Sequence, residues 1–256
     1  MSNKKRRNLK PDNMKSQGAE TEAAKKAKTK KIVILTACAL AVLIAVLGIA
    51  FACIYNSGEE MGTGACEYLE TRDITGRDIK YVEMCVEDYG KVVILLDATN
   101  TPKTVENFLN LVNQKFYDGL TFHNVIKDTL IQGGDPLGTG YGESTHPVKG
   151  EFAINGWNNE ILHKRGVISM ARDINADCDS ATCQFFICTE DLTGIMDKYE
   201  TPFYDGNFAA FGYVVEGMSV IDRIAEDYEQ YNGVIEDKTK QPVIKYIRQL
   251  SSWSKP

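Results

Sequence analysis

The chain has only three histidines among its 256 residues, and its seven cysteines contain no Cys-x-x-Cys pair. Structural zinc sites need closely spaced Cys or His donors. A metal centre therefore has no support, and no cofactor is expected. No internal repeat is present, which excludes a stacked-repeat architecture. Basic residues are scarce beyond position 31: the whole chain carries −6, the first 31 residues carry +8, and the remainder carries −14. An acidic body is a poor ligand for nucleic acid, so no nucleic-acid partner is expected.

Two further absences divide the N-terminal part. Residues 1–31 hold no aromatic and almost no large aliphatic side chain. Such a segment cannot offset the entropy cost of ordering, so it reads as a basic, disordered tail. Residues 32–54 hold no charge. At 1.5 Å per residue they would span about 34 Å, enough for a bilayer core, and a single transmembrane helix is expected. The basic flank precedes it and the acidic body follows. This arrangement predicts a single-pass protein of the cell membrane with a cytoplasmic N-terminus, an extracytoplasmic domain and the lipid bilayer as partner. The apolar run exceeds a typical signal-peptide core, which favours an uncleaved signal anchor over cleavage near Ala50-Phe51-Ala52.

Residues 55–79 read as a linker. Residues 66–86 read as two extended segments about Thr75-Gly76, from which Cys66 and Cys85 are equidistant; a hairpin centred there would make them a candidate disulfide, the alternative being free thiols. Residues 91–96 (KVVILL) form a β-rich run. Thr101-Pro102 then opens a helix, with Thr101 as N-cap and Pro102 in the first turn. Val105, Phe108, Leu109 and Val112 follow at helical spacing. The later apolar runs are short and bounded by glycine, which suggests a closed sheet. Residues 218–228 (MSVIDRIAEDY) read as a second helix, and 241–250 as a final strand, with 251–256 a frayed tail.

The stretch FYDGLTFHNVIKDTLIQGGDPLGTG, 116–140, resembles the signature of the cyclophilin-type peptidyl-prolyl cis-trans isomerases. PKTVENF (102–108), GVISMAR (166–172), QFFI (184–187) and FGYVVEG (211–217) extend the resemblance over 80–250. It implies a mainly β fold: an eight-stranded antiparallel barrel capped by two helices, here preceded by the expected transmembrane helix. The chain is thus read as a membrane-anchored, bacterial-like member with a divergent site. The implied partners are proline-containing polypeptides, and the globular part is expected to be monomeric.

Transferred by motif, the resemblance implies Gln132 as a catalytic glutamine. Leu130, Ala171, Gln184 and Phe186 line the groove, and Phe203, Tyr204 and Phe208 fall in its aromatic segment. The sequence departs from the family where the chemistry sits. Asn124 replaces an arginine, losing the charge-assisted strength of a guanidinium. Thr129 replaces a pocket phenylalanine, losing apolar area and bringing a hydroxyl towards the pocket. Arg172 is a candidate compensating donor. Weak isomerisation of extracytoplasmic proteins and catalytically degenerate binding of proline-containing chains at the cell surface both remain open, as does a structural module.

The loop from Arg172 to Cys183 carries Asp173, Asp177 and Asp179. Their spacing is not that of an EF-hand, which favours a solvated acidic loop. Cys178 and Cys183 bracket its end as a second candidate disulfide, against free thiols. His123 and His163 read as structural side chains, since this chemistry transfers no proton, and His146 carries no signal. Trp157 is either an exposed contact or packed over the barrel.

Overall fold

The computed structural model describes residues 74–144 and 146–254. In chain order the elements are β1 (Ile79–Val86), β2 (Gly90–Asp97), α1 (Pro102–Asn113), β3 (Thr121–Ile126), β4 (Leu130–Asp135), β5 (Val167–Met170), β6 (Phe185–Cys188), α2 (Phe203–Asn207), β7 (Ala209–Glu216), α3 (Met218–Asp227), β8 (Gly233–Val234) and β9 (Ile244–Leu250). All pairings are antiparallel, in the order β8-β3-β4-β6-β5-β7-β2-β1-β9. The sheet closes where Phe122 N donates to Pro242 O (2.9 Å), Ile244 N to Leu120 O (2.7 Å), and Thr121 bridges Val243. Eight long strands thus make a barrel, and β8 adds two residues beside the far end of β3.

Side-chain alternation along the strands builds two cores. Val92, Ile94 and Leu96 of β2, Ile131 of β4, Phe185 and Ile187 of β6, and Phe211 of β7 belong to one buried cluster. Because successive strand residues point to opposite faces, their neighbours Leu95, Leu130, Phe186, Cys188 and Ala210 form a second cluster. The first cluster fills the barrel and is joined by Val105, Phe108 and Val112 of α1 and by Val220, Ile221 and Ile224 of α3. The second lies on the outer face, under the segments that follow β4 and β6. These strands are apolar on both faces because both faces are covered.

Several expectations are corrected. Thr101 does not cap α1 through its side chain. The buried carboxylate of Glu151 does so instead, accepting from Lys103 N (3.1 Å), Thr104 N (2.9 Å) and the Thr104 hydroxyl (2.7 Å). A turn does form at Thr75-Gly76, with Arg77 N donating to Ile74 O at 3.1 Å. The strand that follows it is not half of a hairpin about that turn, because both edges of β1 are occupied, by β2 and β9. Cys85, Cys178, Cys183 and Cys188 are free, so Cys178 and Cys183 are not paired; Cys66, the other half of the first candidate pair, lies outside the described residues. Burial raises the pKa values of the Cys183 and Cys188 thiols, which keeps them protonated and unreactive.

The membrane reading is also corrected. Among the described residues, no helix is long and apolar enough to cross a membrane. The longest, α1, has 12 residues, about 18 Å of helix against roughly 30 Å of hydrocarbon. Residues 1–31, 32–54 and 55–73 lie outside the described residues. The expected preceding transmembrane helix, signal anchor, bilayer partner, single-pass extracytoplasmic placement and membrane-anchored, bacterial-like subtype thus find no support among the described residues.

Candidate functional site

The site is built on one register row of the barrel's outer face. Asn124 of β3 lies opposite Gln132 of β4, Gln132 opposite Phe186 of β6, and Phe186 opposite Ser169 of β5. In the adjacent row, Ile126 faces Leu130 and Leu130 faces Cys188. The strands thus place a polar end, Asn124 and Gln132, beside an apolar floor, Leu130 and Phe186. Leu130 is 5 % and Phe186 3 % exposed.

The polar end is a directed chain of amides. Asn124 Nδ2 donates to Gln132 Oε1 (3.0 Å), and Gln132 Nε2 donates to Gln184 Oε1 (2.9 Å). Gln184 Nε2 then donates to Gly142 O (2.7 Å) and Gly140 O (3.1 Å). The accepting loop is clamped by Asp135, whose carboxylate receives Leu137 N (2.6 Å), Thr139 N (2.8 Å) and Gly140 N (2.5 Å). Burial of Asp135 acts to raise its pKa, but these amides and that of Gly142 outweigh it and hold the carboxyl below its ordinary value. His123, buried beneath this loop, has its pKa lowered by burial, partly offset by the charge of Asp135.

The apolar end is an aromatic cluster. Phe186 meets Phe208 edge-to-face at 5.5 Å and Tyr204 at 6.0 Å. Phe203 packs edge-on against Tyr204 (5.1 Å) and lies 5.9 Å from Phe208. Three of these rings come from α2 and the residue that ends it, so the short helix forms a wall against β6. Burial pushes the Tyr204 phenol up to about 12, with the Cys188 thiol adding to the shift. Ala171 extends the β5–β6 pairing by donating its N–H to Gln184 O at 2.9 Å.

The two departures from the family pattern behave differently. Asn124 lies in the row and bonds Gln132, whereas Thr129 bonds within a turn. Its hydroxyl donates to Lys127 O at 3.0 Å, within the turn joining β3 to β4. The turn thus supplies the Thr129 hydroxyl with a partner. Arg172 is committed to α2: Nε donates to Asn207 O (2.8 Å), Nη2 to Asn207 Oδ1 (3.4 Å) and Nη1 to Asp173 O (2.9 Å). Its guanidinium lies 5.0 Å from the Phe152 ring centroid and 5.9 Å from that of Phe208.

Other candidates are placed elsewhere. In the acidic loop, Asp173 accepts from Asn175 N, Asp177 from Asp179 N, and Asp179 from Gly150 N and Asn155 Nδ2. These carboxylates fasten turns. Trp157 donates to Asn100 O at 3.0 Å. Sequence reasoning missed Asp135, Gly140, Gly142 and Asn207, which hold the amide chain and Arg172. The IQGGD run contained Asp135, but nothing local indicated which amides it would collect.

Comparison with known proteins identifies this barrel. A family model for cyclophilin type peptidyl-prolyl cis-trans isomerases matches residues 81–248. A Helicobacter pylori peptidyl-prolyl cis-trans isomerase is 40% identical over 139 residues, 54% of this chain and 76% of that protein. A Schizosaccharomyces pombe isomerase is 38% identical over 136 residues, 53% of this chain and 79% of that protein. A crystal structure of a Cryptosporidium parvum cyclophilin-type isomerase aligns with TM-score 0.55 and 25% identity, covering 68% of this chain and 99% of its own. The fold is that of a cyclophilin-type barrel. The chain belongs to the cyclophilin-type peptidyl-prolyl cis-trans isomerase family. Isomerisation of prolyl bonds in proline-containing chains is its general activity.

Proposed function

We propose that this chain binds proline-containing polypeptides through the Leu130–Phe186–Phe208 pocket and isomerises them with reduced turnover. Rotation about the peptide C–N bond crosses a barrier of about 18–20 kcal/mol because resonance is lost at the top. No nucleophile or metal is required. A catalyst must hold the ring and stabilise the twisted amide more than the planar one. The apolar floor, with Tyr204, Phe203 and Ala171 around it, serves the first task. Gln132 and Asn124 serve the second, as neutral donors and acceptors beside the ring.

The observation that carries this reading is the bond from Asn124 Nδ2 to Gln132 Oε1. An asparagine amide has two N–H donors, and one is used inside the site. The other is a neutral donor where charge develops, weaker by about half than a charge-assisted one. Arg172 does not replace the missing cation, because its bonded nitrogens serve Asn207 and Asp173; its role here is to hold α2. The crystallised Cryptosporidium parvum isomerase with a TM-score of 0.53 was determined in the presence of the dipeptide Ala-Pro. An Ala-Pro peptide is therefore a suitable probe for this chain.

The test compares the full chain with Asn124→Arg and with the Asn124→Arg/Thr129→Phe double variant, measuring kcat/KM on an Ala-Pro tetrapeptide. Restoring the cation and the aromatic wall should raise kcat/KM by about tenfold or more, equivalent to about 1.4 kcal/mol of transition-state stabilisation. An unchanged rate places the deficit elsewhere. Tight peptide binding with no rate above the uncatalysed one, in all three proteins, would identify a binding module instead.

A further inference from the structure

Behind the aromatic wall lies a Ser–His–Asp arrangement that the proposed chemistry does not use. His163 Nδ1 is 2.8 Å from Asp205 Oδ1, and Nε2 is 2.9 Å from Ser169 Oγ. His163 N also donates to Asp205 Oδ1, at 2.7 Å. His163 and Ser169 are both 0 % exposed. No substrate carbonyl can reach a hydroxyl buried in this way, so this is not a nucleophilic triad.

The position of these groups defines a different role. Ser169 is the register partner of Phe186. The His163 ring stacks on Phe186 at 5.8 Å with an interplanar angle of 19°, and lies 5.8 Å from Tyr204. Asp205 sits in the middle of α2, between Tyr204 and the residues leading to Phe208. One imidazole therefore touches the floor of the pocket through its face and holds the wall through Nδ1. Burial lowers the His163 pKa, with Asp205 acting in the opposite direction. The neutral ring donates from Nδ1 to the carboxylate and accepts at Nε2 from Ser169, so both ring nitrogens have partners.

We infer that His163, acting through Asp205, is a positioning residue that fixes α2 against β5 and β6 and thereby sets the width of the proline pocket. α2 has only five residues, too few to be stable as an isolated helix. Its place must come from tertiary contacts, and the His163–Asp205 pair supplies two hydrogen bonds to one oxygen. The inference rests on the pocket assignment above but not on turnover, and its test separates the two.

The variants are His163→Phe, which keeps a stacking ring and removes both ring hydrogen bonds, Asp205→Ala, which cuts the link from the helix side, and Asp205→Asn, which keeps an acceptor at Oδ1. Two quantities are measured on the full chain: amide hydrogen exchange at Gly206 and Phe208, which donate within α2 to Pro202 O and Tyr204 O, and the Kd for an Ala-Pro peptide. His163→Phe and Asp205→Ala should each speed exchange at both amides by about tenfold and raise Kd by about fivefold. Asp205→Asn should stay within about twofold of the parent in both. Should His163→Phe fail to fold, Asp205→Ala carries the test alone, since it leaves the barrel interior untouched. Parental exchange rates in Asp205→Ala overturn the inference, as does an equal loss in Asp205→Asn. A parent chain that fails to bind peptide, while α2 exchange responds as expected, refutes the pocket assignment and leaves the positioning role standing.

Discussion

At the scale of single residues, the site depends on a close approach that only glycine permits. Gly142 passes so near the Asp135 clamp that a Cβ built on it would lie 1.8 Å from Asp135 Oδ1 and 2.9 Å from Leu137 N. The same residue offers the carbonyl that receives Gln184 Nε2. Gly142→Ala should therefore push the loop outward, leave Gln184 without its nearer acceptor and break the orientation passed on to Gln132 and Asn124. The expected cost is about 2 kcal/mol of stability, for a strained contact and unsatisfied buried amides. Thermal denaturation should show a lowered midpoint, and the Kd for an Ala-Pro peptide should rise. A parental midpoint together with a parental Kd would mean that the loop relaxes freely and does not support the site.

At the scale of elements, the two long helices are held by different means. α3 buries Val220, Ile221 and Ile224, and the period of its apolar residues made that face readable from sequence. α1 has a readable apolar face too, but its N-terminus is held by Glu151, 48 residues beyond Lys103. The local signal, Thr101-Pro102, pointed to a self-contained cap. The carboxylate prevails because it satisfies two backbone amides and a hydroxyl at once and faces the positive end of the helix dipole. Glu151→Gln should retain part of this, since an amide oxygen still accepts. Glu151→Ala should cost about 2 kcal/mol, because it leaves buried donors unpaired. Denaturant titration of both variants checks the order: parent, then Gln, then Ala. Equal stability of Glu151→Ala and the parent would show that water caps the helix adequately.

The same contrast runs through the site. The motif residues Asn124, Leu130, Gln132, Gln184 and Phe186 were legible because strand alternation and motif order are local properties of the chain. The register that brings them together was not legible, since it joins strands tens of residues apart and one step of slip would turn every side chain to the other face. The direction of Arg172 was equally hidden. A guanidinium beside a groove can serve substrate or scaffold, and the carbonyl of Asn207 decides the matter from 35 residues away. Barrel closure, too, depends on residues 242–244 meeting residues 120–122, a pairing that no local pattern announces.

At the scale of the whole molecule, His123, His163, Asp135 and Asp205 all weaken the fold as pH falls. His123 and His163 have pKa values lowered chiefly by burial. The unfolded chain therefore takes up protons before the native one does. Their contribution to stability is complete above the unfolded histidine value of about 6.5 and declines as pH falls through it towards the native values. Asp135 and Asp205 are lowered as well. Burial opposes this, but the amides around Asp135 and the His163 bonds to Asp205 outweigh it. Their contribution is complete above the unfolded aspartate value of about 3.9 and is lost as pH falls through their native values. The denaturation midpoint should therefore stay level from about pH 8 to 7, decline below about pH 6.5, and fall further below about pH 4. Asp205→Ala should remove one carboxylate from the lower window. It should also remove the carboxylate contribution that raises the His163 pKa, so the upper decline should become steeper. Urea titrations of the parent and this variant at pH 8, 6.5, 5, 4 and 3 measure both effects. A parent midpoint unchanged between pH 8 and 5 would show that the buried imidazoles do not limit the fold.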